Sequence, residues 1–209
     1  MTRSQLVLSV LVLYLSFPCV SGAQSSPSTT PVPLSFEQRF QIYLKGTYGL
    51  SSILVPTVFA GINQATDNPK EWGQGWAGYG DRVATLRGQF QFHNLCEFGV
   101  DASLHEDPRF FPSGRRGTWA RTRYVFVHTL VARTDRGSEQ PAFGAFAGAL
   151  GSGFFPNLWL PPSQNSMEHG FARSAIFLGV SIGRNMGTEF GPDDRRFFRD
   201  KVIRPIFHR

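Results

Sequence analysis

The chain has 209 residues, of which 41% are hydrophobic, 14% aromatic and 17% charged. This composition excludes a disordered polyelectrolyte, and the 22 Gly and 14 Pro residues follow no collagen-like period. The formal net charge is +6 and only three of the 21 basic residues are lysines, so arginine would dominate contacts with an anionic partner.

Residues 1–23 have the pattern of a signal peptide. Arg3 precedes an uncharged apolar run, residues 6–20, and small residues at 21–23 suit a signal peptidase. The run is short of the roughly 20 residues that a membrane-spanning helix needs. We therefore expect an exported protein whose mature chain starts near Gln24, with an uncleaved anchor as the alternative. Residues 24–34 are rich in Pro, Ser and Thr and predict an extended tether.

Residues 35–209 predict a single domain of mainly α class, a glycine-rich bundle of about four to five helices. Ser35 and Gln38 form a capping box at the start of the first helix, and Pro56 predicts a bend within it. The third helix contains the β-branched run Tyr124–Val131, for which a strand is the alternative. The helices are predicted over about these residues: 36–65, 81–105, 119–133, 140–155, 168–189 and 192–203.

Two parts of the chain are unusually poor in charge. The residues between Lys45 and Asp67 are all uncharged, but their polar and glycine content favours a buried helix over a transmembrane one. Small residues recur every three or four positions in two later helices: Gly144, Gly148 and Ser152, then Ala172, Ala175, Gly179 and Gly183. Because glycine in a helix costs about 1 kcal/mol relative to alanine, these ridges predict close packing of helix backbones.

Residues 67–80 predict a loop rich in glycine and tryptophan. Gly73–Gly78 matches G-x-G-x-x-G, whose glycines let a backbone approach a pyrophosphate. No predicted strand precedes this motif, so we expect a tight loop with Trp72 and Trp76 packed onto the bundle instead of a nucleotide site.

Four segments carry distinctive motifs: EWGQGWAGYG (71–80), EFGVDASLHEDPRFFPSG (97–114), ARTDRG (132–137) and GALGSGFFPNLW (148–159). Together they resemble a family of exported bacterial helical proteins of unknown function. The resemblance covers most of residues 36–190. It implies an exported helical protein, and it implies no activity, cofactor or catalytic residue.

Four titratable residues recur every fourth position on the second predicted helix: His93, Glu97, Asp101 and His105. An adjacent pair could bind zinc or iron with His128 or a carboxylate from a facing helix, but the series rotates by about 120°, so all four cannot share one ion. We favour the alternative that Glu97 and Asp101 bind arginines inside the bundle. The candidate arginines are Arg121, Arg123, Arg173 and Arg184.

Catalytic motifs are weak in this sequence. No G-x-S-x-G elbow is present, and Ser152 has no identifiable base. Cys96 is expected to be a small buried residue, although His93 lies one turn away from it. The sequence favours a non-enzymatic protein without a cofactor. The alternative is a periplasmic enzyme or metalloprotein that uses the stripe of His93, Glu97, Asp101 and His105.

Residues 108–134 form an arginine/aromatic segment with no acidic residue and no lysine. Such a mixture suits the anionic headgroup region of a membrane. Nucleic acid would also suit it, but the expected export argues against that partner. We therefore expect a protein of the periplasm or cell envelope, membrane-associated through its glycine-ridged helices and this segment. The residues expected to bind an anionic membrane surface or an envelope protein are Arg109, Arg115, Arg116, Arg121 and Arg123.

Overall fold

The computed structural model describes residues 32–198, so the predicted signal peptide, most of the tether and the end of the last predicted helix lie outside the described residues. The described chain is mainly helical, which confirms the predicted fold class. Its elements are α1 (Phe36–Tyr48), α2 (Leu50–Ala65), α3 (Trp76–Leu104), α4 (Thr118–Leu130), β1 (Val131–Arg133), β2 (Glu139–Pro141), α5 (Phe143–Phe154) and α6 (Met167–Phe198).

The described residues divide into two compact units. The larger unit contains residues 32–108 and 130–180, and the smaller unit contains residues 109–129 and 181–198. A single domain over 35–209 stays a prediction.

The first predicted helix, over 36–65, is broken at Gly49, where the structure has extended backbone with φ −67° and ψ 164°. The predicted capping box of Ser35 and Gln38 is confirmed at the start of α1. Pro56 lies inside α2. At this break the buried Ser52 hydroxyl lies within hydrogen-bond distance of the carbonyl oxygens of Thr47 (2.8 Å) and Gly49 (2.7 Å), and the Gly49 carbonyl also accepts the Ser52 N–H at 3.1 Å.

The second predicted helix begins at Trp76, five residues before the predicted start. The loop before it folds around the buried guanidinium of Arg82, which donates to the backbone carbonyls of Asn68 (2.9 Å), Pro69 (2.7 Å) and Gly73 (2.7 Å). Trp72 is half-buried, whereas Trp76 is 89% exposed, so the expected packing of Trp76 onto the bundle is wrong. The loop is held by carbonyl contacts to arginine, which leaves Trp76 at the surface.

The prediction of a helix over 119–133 holds only to Leu130. β1 follows directly and pairs antiparallel with β2, with Val131 opposite Pro141 and Arg133 opposite Glu139. Strands of three residues are too short to give a recognisable alternation of side chains, which is why the sequence does not reveal the pairing.

The two helices predicted over 168–189 and 192–203 are continuous within the described residues as α6, which contains Pro192. Arg121 explains why the helix does not end before the proline. Its guanidinium binds the carboxylates of Glu189 and Asp193, which lie on either side of Pro192. These contacts offset the loss of one helical hydrogen bond at the proline.

The glycine ridge of α5 faces α3. A Cβ atom at Gly148 would lie 2.9 Å from the carbonyl oxygen of His93, and one at Gly151 would lie 2.8 Å from Cys96 Sγ. At Gly179, on α6, a Cβ atom would meet nothing within 4 Å. The predicted close packing therefore exists for α5, while Gly179 has no such contact among the described residues.

The close approach of α5 to α3 makes Gly148→Ala a sharp test of this packing. We expect it to lower the free energy of unfolding by about 1–3 kcal/mol, because the new methyl group overlaps the His93 backbone and ring. Gly99→Ala on α3 is the matched control, since its methyl group meets nothing within 4 Å and alanine favours the helix by about 0.5–1 kcal/mol. Urea unfolding measures both; equal effects of the two variants would contradict the packing.

Candidate functional site

The four residues of the predicted metal stripe do not converge in the structure. His93 is buried, with its Nε2 atom 3.5 Å from Glu97 Oε2 and its ring stacked on Phe177. His105 ends α3 in a left-handed conformation, is 73% exposed, and has Nδ1 3.4 Å from Asp135 Oδ2. Over residues 32–198, no group of three or more His, Cys, Asp or Glu residues could hold a metal ion.

Glu106 has a structural role at the junction of two elements. Its side chain is fully buried and accepts hydrogen bonds from Gln140 Nε2 (2.7 Å) and from the backbone N–H groups of Phe143 (3.2 Å) and Gly144 (3.0 Å). The carboxylate thus caps the N-terminus of α5, where free N–H groups and the helix dipole favour negative charge. The motif HEDPR (105–109) lies at the end of α3. Its Glu106 also caps α5, which begins 37 residues after Glu106.

Asp101 lies beside Glu106 and carries a proton at neutral pH. Burial, followed by the negative charges of Glu97 and Glu106, raises the pKa of Asp101 from 3.8 to about 9. Its carboxyl group hydrogen-bonds to that of Glu106, so one proton lies between the two acids. Gly144 leaves no room for a Cβ atom here, because that atom would overlap the Asp101 carboxyl group.

The arginine beside this carboxyl pair is Arg39, which binds the backbone carbonyl oxygen of Glu106 and the carboxylate of Asp135. It is buried on α1 and lies 2.6 Å from Asp135 Oδ1. The sequence pointed to other arginines, of which Arg173 instead donates to the carbonyl oxygens of Gly153 and Gln164. The network links α1, the end of α3 and the start of α5, and its burial gives it a structural role.

Asp101 makes stability depend on pH. Its pKa is higher in the folded chain, so the folded state holds a proton that the unfolded state releases, and stability falls as pH rises from about 4 to about 9. Asp101→Asn should flatten this slope by up to about 1.4 kcal/mol per pH unit, because the amide is neutral at every pH. The exposed Asp81→Asn on the same helix is the control. Urea unfolding across about pH 5–8 tests this; an unchanged slope in Asp101→Asn would contradict the buried proton.

In the smaller unit, Arg121 has an internal role. Its Nε atom lies 2.9 Å from Glu189 Oε1, and Ser113 donates to the same carboxylate through its N–H (2.8 Å) and hydroxyl (2.6 Å). Burial alone would raise the pKa of Glu189, but the hydrogen bonds from Ser113 and Arg121 hold it below its ordinary value. Arg121 therefore stabilises the fold and leaves the predicted surface set.

Three of the five predicted binding arginines are exposed: Arg115, Arg116 and Arg123. Arg109 is half-buried, with its guanidinium 5.3 Å from the ring centre of Phe111. Arg115 lies 5.2 Å above the ring of Tyr124. The exposed arginines surround the first turn of α4, where Trp119 is 79% exposed.

The outer face of α4 continues from this cluster. Trp119, Arg123 and Phe126 are exposed and occupy positions i, i+4 and i+7, which share one side of a helix. Val127 is also exposed, whereas Val125 and Thr129 are buried on the opposite side. We call Arg115, Arg116, Trp119, Arg123 and Phe126 the arginine/tryptophan face.

Arg121 and Arg123 separate the internal role from the surface role. Arg121→Gln should lower the free energy of unfolding by about 3–5 kcal/mol, because it leaves the buried Glu189 carboxylate without its ion pair. Arg123→Gln removes the same charge from the same helix at an exposed position and should change stability by at most about 0.5 kcal/mol. Urea unfolding measures both variants; similar losses would contradict the division of roles.

In the described chain, polar and apolar residues are distributed unusually between the interior and the surface. Polar and charged residues make up 16 of the buried residues, against seven hydrophobic ones, while many large apolar side chains are exposed. Folded proteins in water usually show the opposite bias for charged groups. The sequence predicted that the helix now called α2 is buried. This prediction is wrong for Leu50, Ile53, Leu54 and Val58, which are exposed. The uncharged run after Lys45 was the sequence signal that could have indicated this apolar surface.

Comparison of the chain with protein-family models, curated proteins and solved structures finds no match. Within residues 32–198, no helix has the combined length and hydropathy that spanning a membrane requires. Of the arginines that the sequence indicated, Arg115, Arg116 and Arg123 are exposed, whereas the sequence did not indicate the exposed apolar side chains of α2.

Proposed function

We propose that the protein is an exported, non-enzymatic cell-envelope protein that binds an anionic membrane surface through its arginine/tryptophan face. The observation that carries this proposal is the exposure of Arg115, Arg116 and Arg123 around the exposed Trp119. No acidic residue interrupts the chain between Asp107 and Asp135, so this part of the sequence does not neutralise itself.

The chemistry of these side chains suits the headgroup layer of a bilayer. A guanidinium binds phosphate oxygens through two parallel N–H groups, and an exposed indole ring favours the boundary between hydrocarbon and water. Each arginine near an anionic surface contributes about 1 kcal/mol, so three of them would raise affinity by roughly a hundredfold. Because this attraction is electrostatic, salt should weaken it.

The glycine ridge of α5 supports membrane binding only indirectly. The glycines of this ridge contact α3. They therefore hold the two helices together and leave no small-residue surface there for a partner. Export to the envelope is supported by the signal-peptide pattern and by the resemblance to exported proteins. The enzyme alternative has less support, because His93 and His105 lie in different environments, one buried and one exposed.

Charge reversal at the exposed arginines tests the proposal. Arg115→Glu with Arg116→Glu should strongly reduce sedimentation with vesicles that contain anionic phospholipid, because attraction becomes repulsion at two sites of the face. The measurement uses the protein as secreted, with its N-terminus defined by mass spectrometry. Lys70→Glu with Arg136→Glu is the matched control, since it changes the net charge equally at exposed positions elsewhere.

Vesicle binding should be retained by the control and strongly weakened in the arginine variant. Equal binding by both variants would contradict the arginine/tryptophan face, and equal loss would reduce the effect to net charge. Fractionation of cells that express the protein provides the second measurement. A protein that stays wholly in the soluble fraction and ignores anionic vesicles would refute the proposed membrane association.

A further inference from the structure

On α1, Phe36 and Phe40 pack on Phe98 of α3, and the polar residues Glu37, Gln38, Gln41 and Lys45 are exposed among the apolar side chains. The surface formed by α1 and α2 is continuously apolar only along α2. Eight large apolar side chains on this surface are between 36% and 68% exposed: Phe36, Phe40, Leu44, Tyr48, Leu50, Ile53, Leu54 and Val58. We call these eight residues the apolar face. From Phe40 to Thr66 the chain has a single charged residue, Lys45. Soluble monomers seldom expose a continuous apolar patch above about 600 Å².

Two polar side chains beside the break between these helices are directed toward the interior. Thr47 and Ser52 are buried, and at the break between the helices the Ser52 hydroxyl satisfies the carbonyls of Thr47 and Gly49. A break in a helix exposes backbone carbonyls, which water would ordinarily solvate. Here the Ser52 hydroxyl takes the place of water at these carbonyl groups.

Pro56 creates a second free carbonyl, and α3 provides its donor. Proline has no N–H group, so the carbonyl oxygen of Ser52, four residues earlier, lacks its helical partner. Arg87 donates from Nη1 to this oxygen and lies 3.1 Å from the Ser52 hydroxyl. An arginine from another helix thus replaces the hydrogen bond that water would make at a wet surface. Because Ser52 is buried, this contact satisfies the carbonyl inside the fold, and α2 keeps no unpaired Ser52 carbonyl that would require water.

The exposed residues of α2 favour lipid over a protein partner. All of them are apolar: Leu50, Ile53, Leu54, Val58 and Ala65. Protein interfaces carry about one hydrogen bond per 100–200 Å², and this face of α2 offers no exposed side chain that could form one. Contact with lipid acyl chains requires no hydrogen bond.

The length of α2 sets the orientation. Its 16 residues span about 24 Å, less than the roughly 30 Å thickness of a hydrocarbon core. Lys45 is exposed at the end of α1 and can extend its ammonium group to the headgroup layer. The short length of α2 and the neighbouring lysine fit an orientation in which α2 lies in the plane of one leaflet.

We propose that the α2 part of the apolar face, Leu50, Ile53, Leu54 and Val58, inserts into the acyl-chain region of one leaflet, with α2 parallel to the membrane plane. This inference rests on the proposed membrane association and specifies the hydrocarbon as a second, electrostatically neutral ligand. It assigns to α2 a role that the arginine/tryptophan face cannot perform, since the burial of apolar area in a membrane is not weakened by salt.

An environment-sensitive fluorophore measures the insertion directly. The label is attached at Leu54→Cys in a Cys96→Ala background of the secreted protein, and the reference label at the exposed Arg136→Cys. Leu50→Cys serves as a second reporter, and circular dichroism confirms that each variant is folded. Vesicles are phosphatidylcholine and phosphatidylglycerol, with or without nitroxide-labelled acyl chains.

Labels at positions 50 and 54 should brighten several-fold with a blue shift on vesicles, and acyl-chain nitroxides should quench them, while the label at position 136 stays unchanged. If the protein sediments with vesicles but the labels at 50 and 54 remain in water, the insertion is refuted and the proposed surface binding stands. If wild-type protein does not sediment at all, both are refuted. If these labels are already shielded without lipid and ultracentrifugation gives a dimer, the face binds a second copy and the lipid assignment is refuted.

Discussion

The buried carboxylate of Glu106 is the interaction on which the larger unit depends. It accepts hydrogen bonds from Gln140 and from two N–H groups at the start of α5, while Arg39 of α1 binds the carbonyl of the same residue. A buried charge without partners costs several kcal/mol, so the end of α3, the β-hairpin and α5 are stable only when assembled together. The protonated Asp101 beside it removes a second negative charge that this site could not hold.

This polar centre contrasts with the surface. Hydrogen-bonded polar groups and glycine contacts occupy part of the interior of the larger unit, and large apolar side chains lie exposed on α2. Arg87 at the Ser52 carbonyl follows the same logic, since it satisfies a backbone group from within. The proposed lipid contact is a property of α2, and the proposed headgroup contact is a separate property of α4.

Arginine has two different roles in the molecule. Arg39, Arg82 and Arg121 are held by carbonyls or carboxylates and stabilise the fold, whereas Arg115, Arg116 and Arg123 are exposed. The sequence grouped Arg121 with the exposed set because both kinds share one segment. Its partner Glu189 lies 68 residues away, and no local pattern indicates that pairing.

The sequence by itself determined the features that local chemistry controls: the mainly helical class, the capping box at Ser35, and the composition of the arginine/aromatic segment. Only the tertiary structure decided the break at Gly49, the pairing of β1 with β2, the continuity of α6 past Pro192, and the capping of α5 by Glu106. Capping and helical periodicity act within one or two turns and are readable from neighbouring residues. The other features depend on donors and acceptors that meet only when distant segments pack, so their energies have no counterpart in the local sequence.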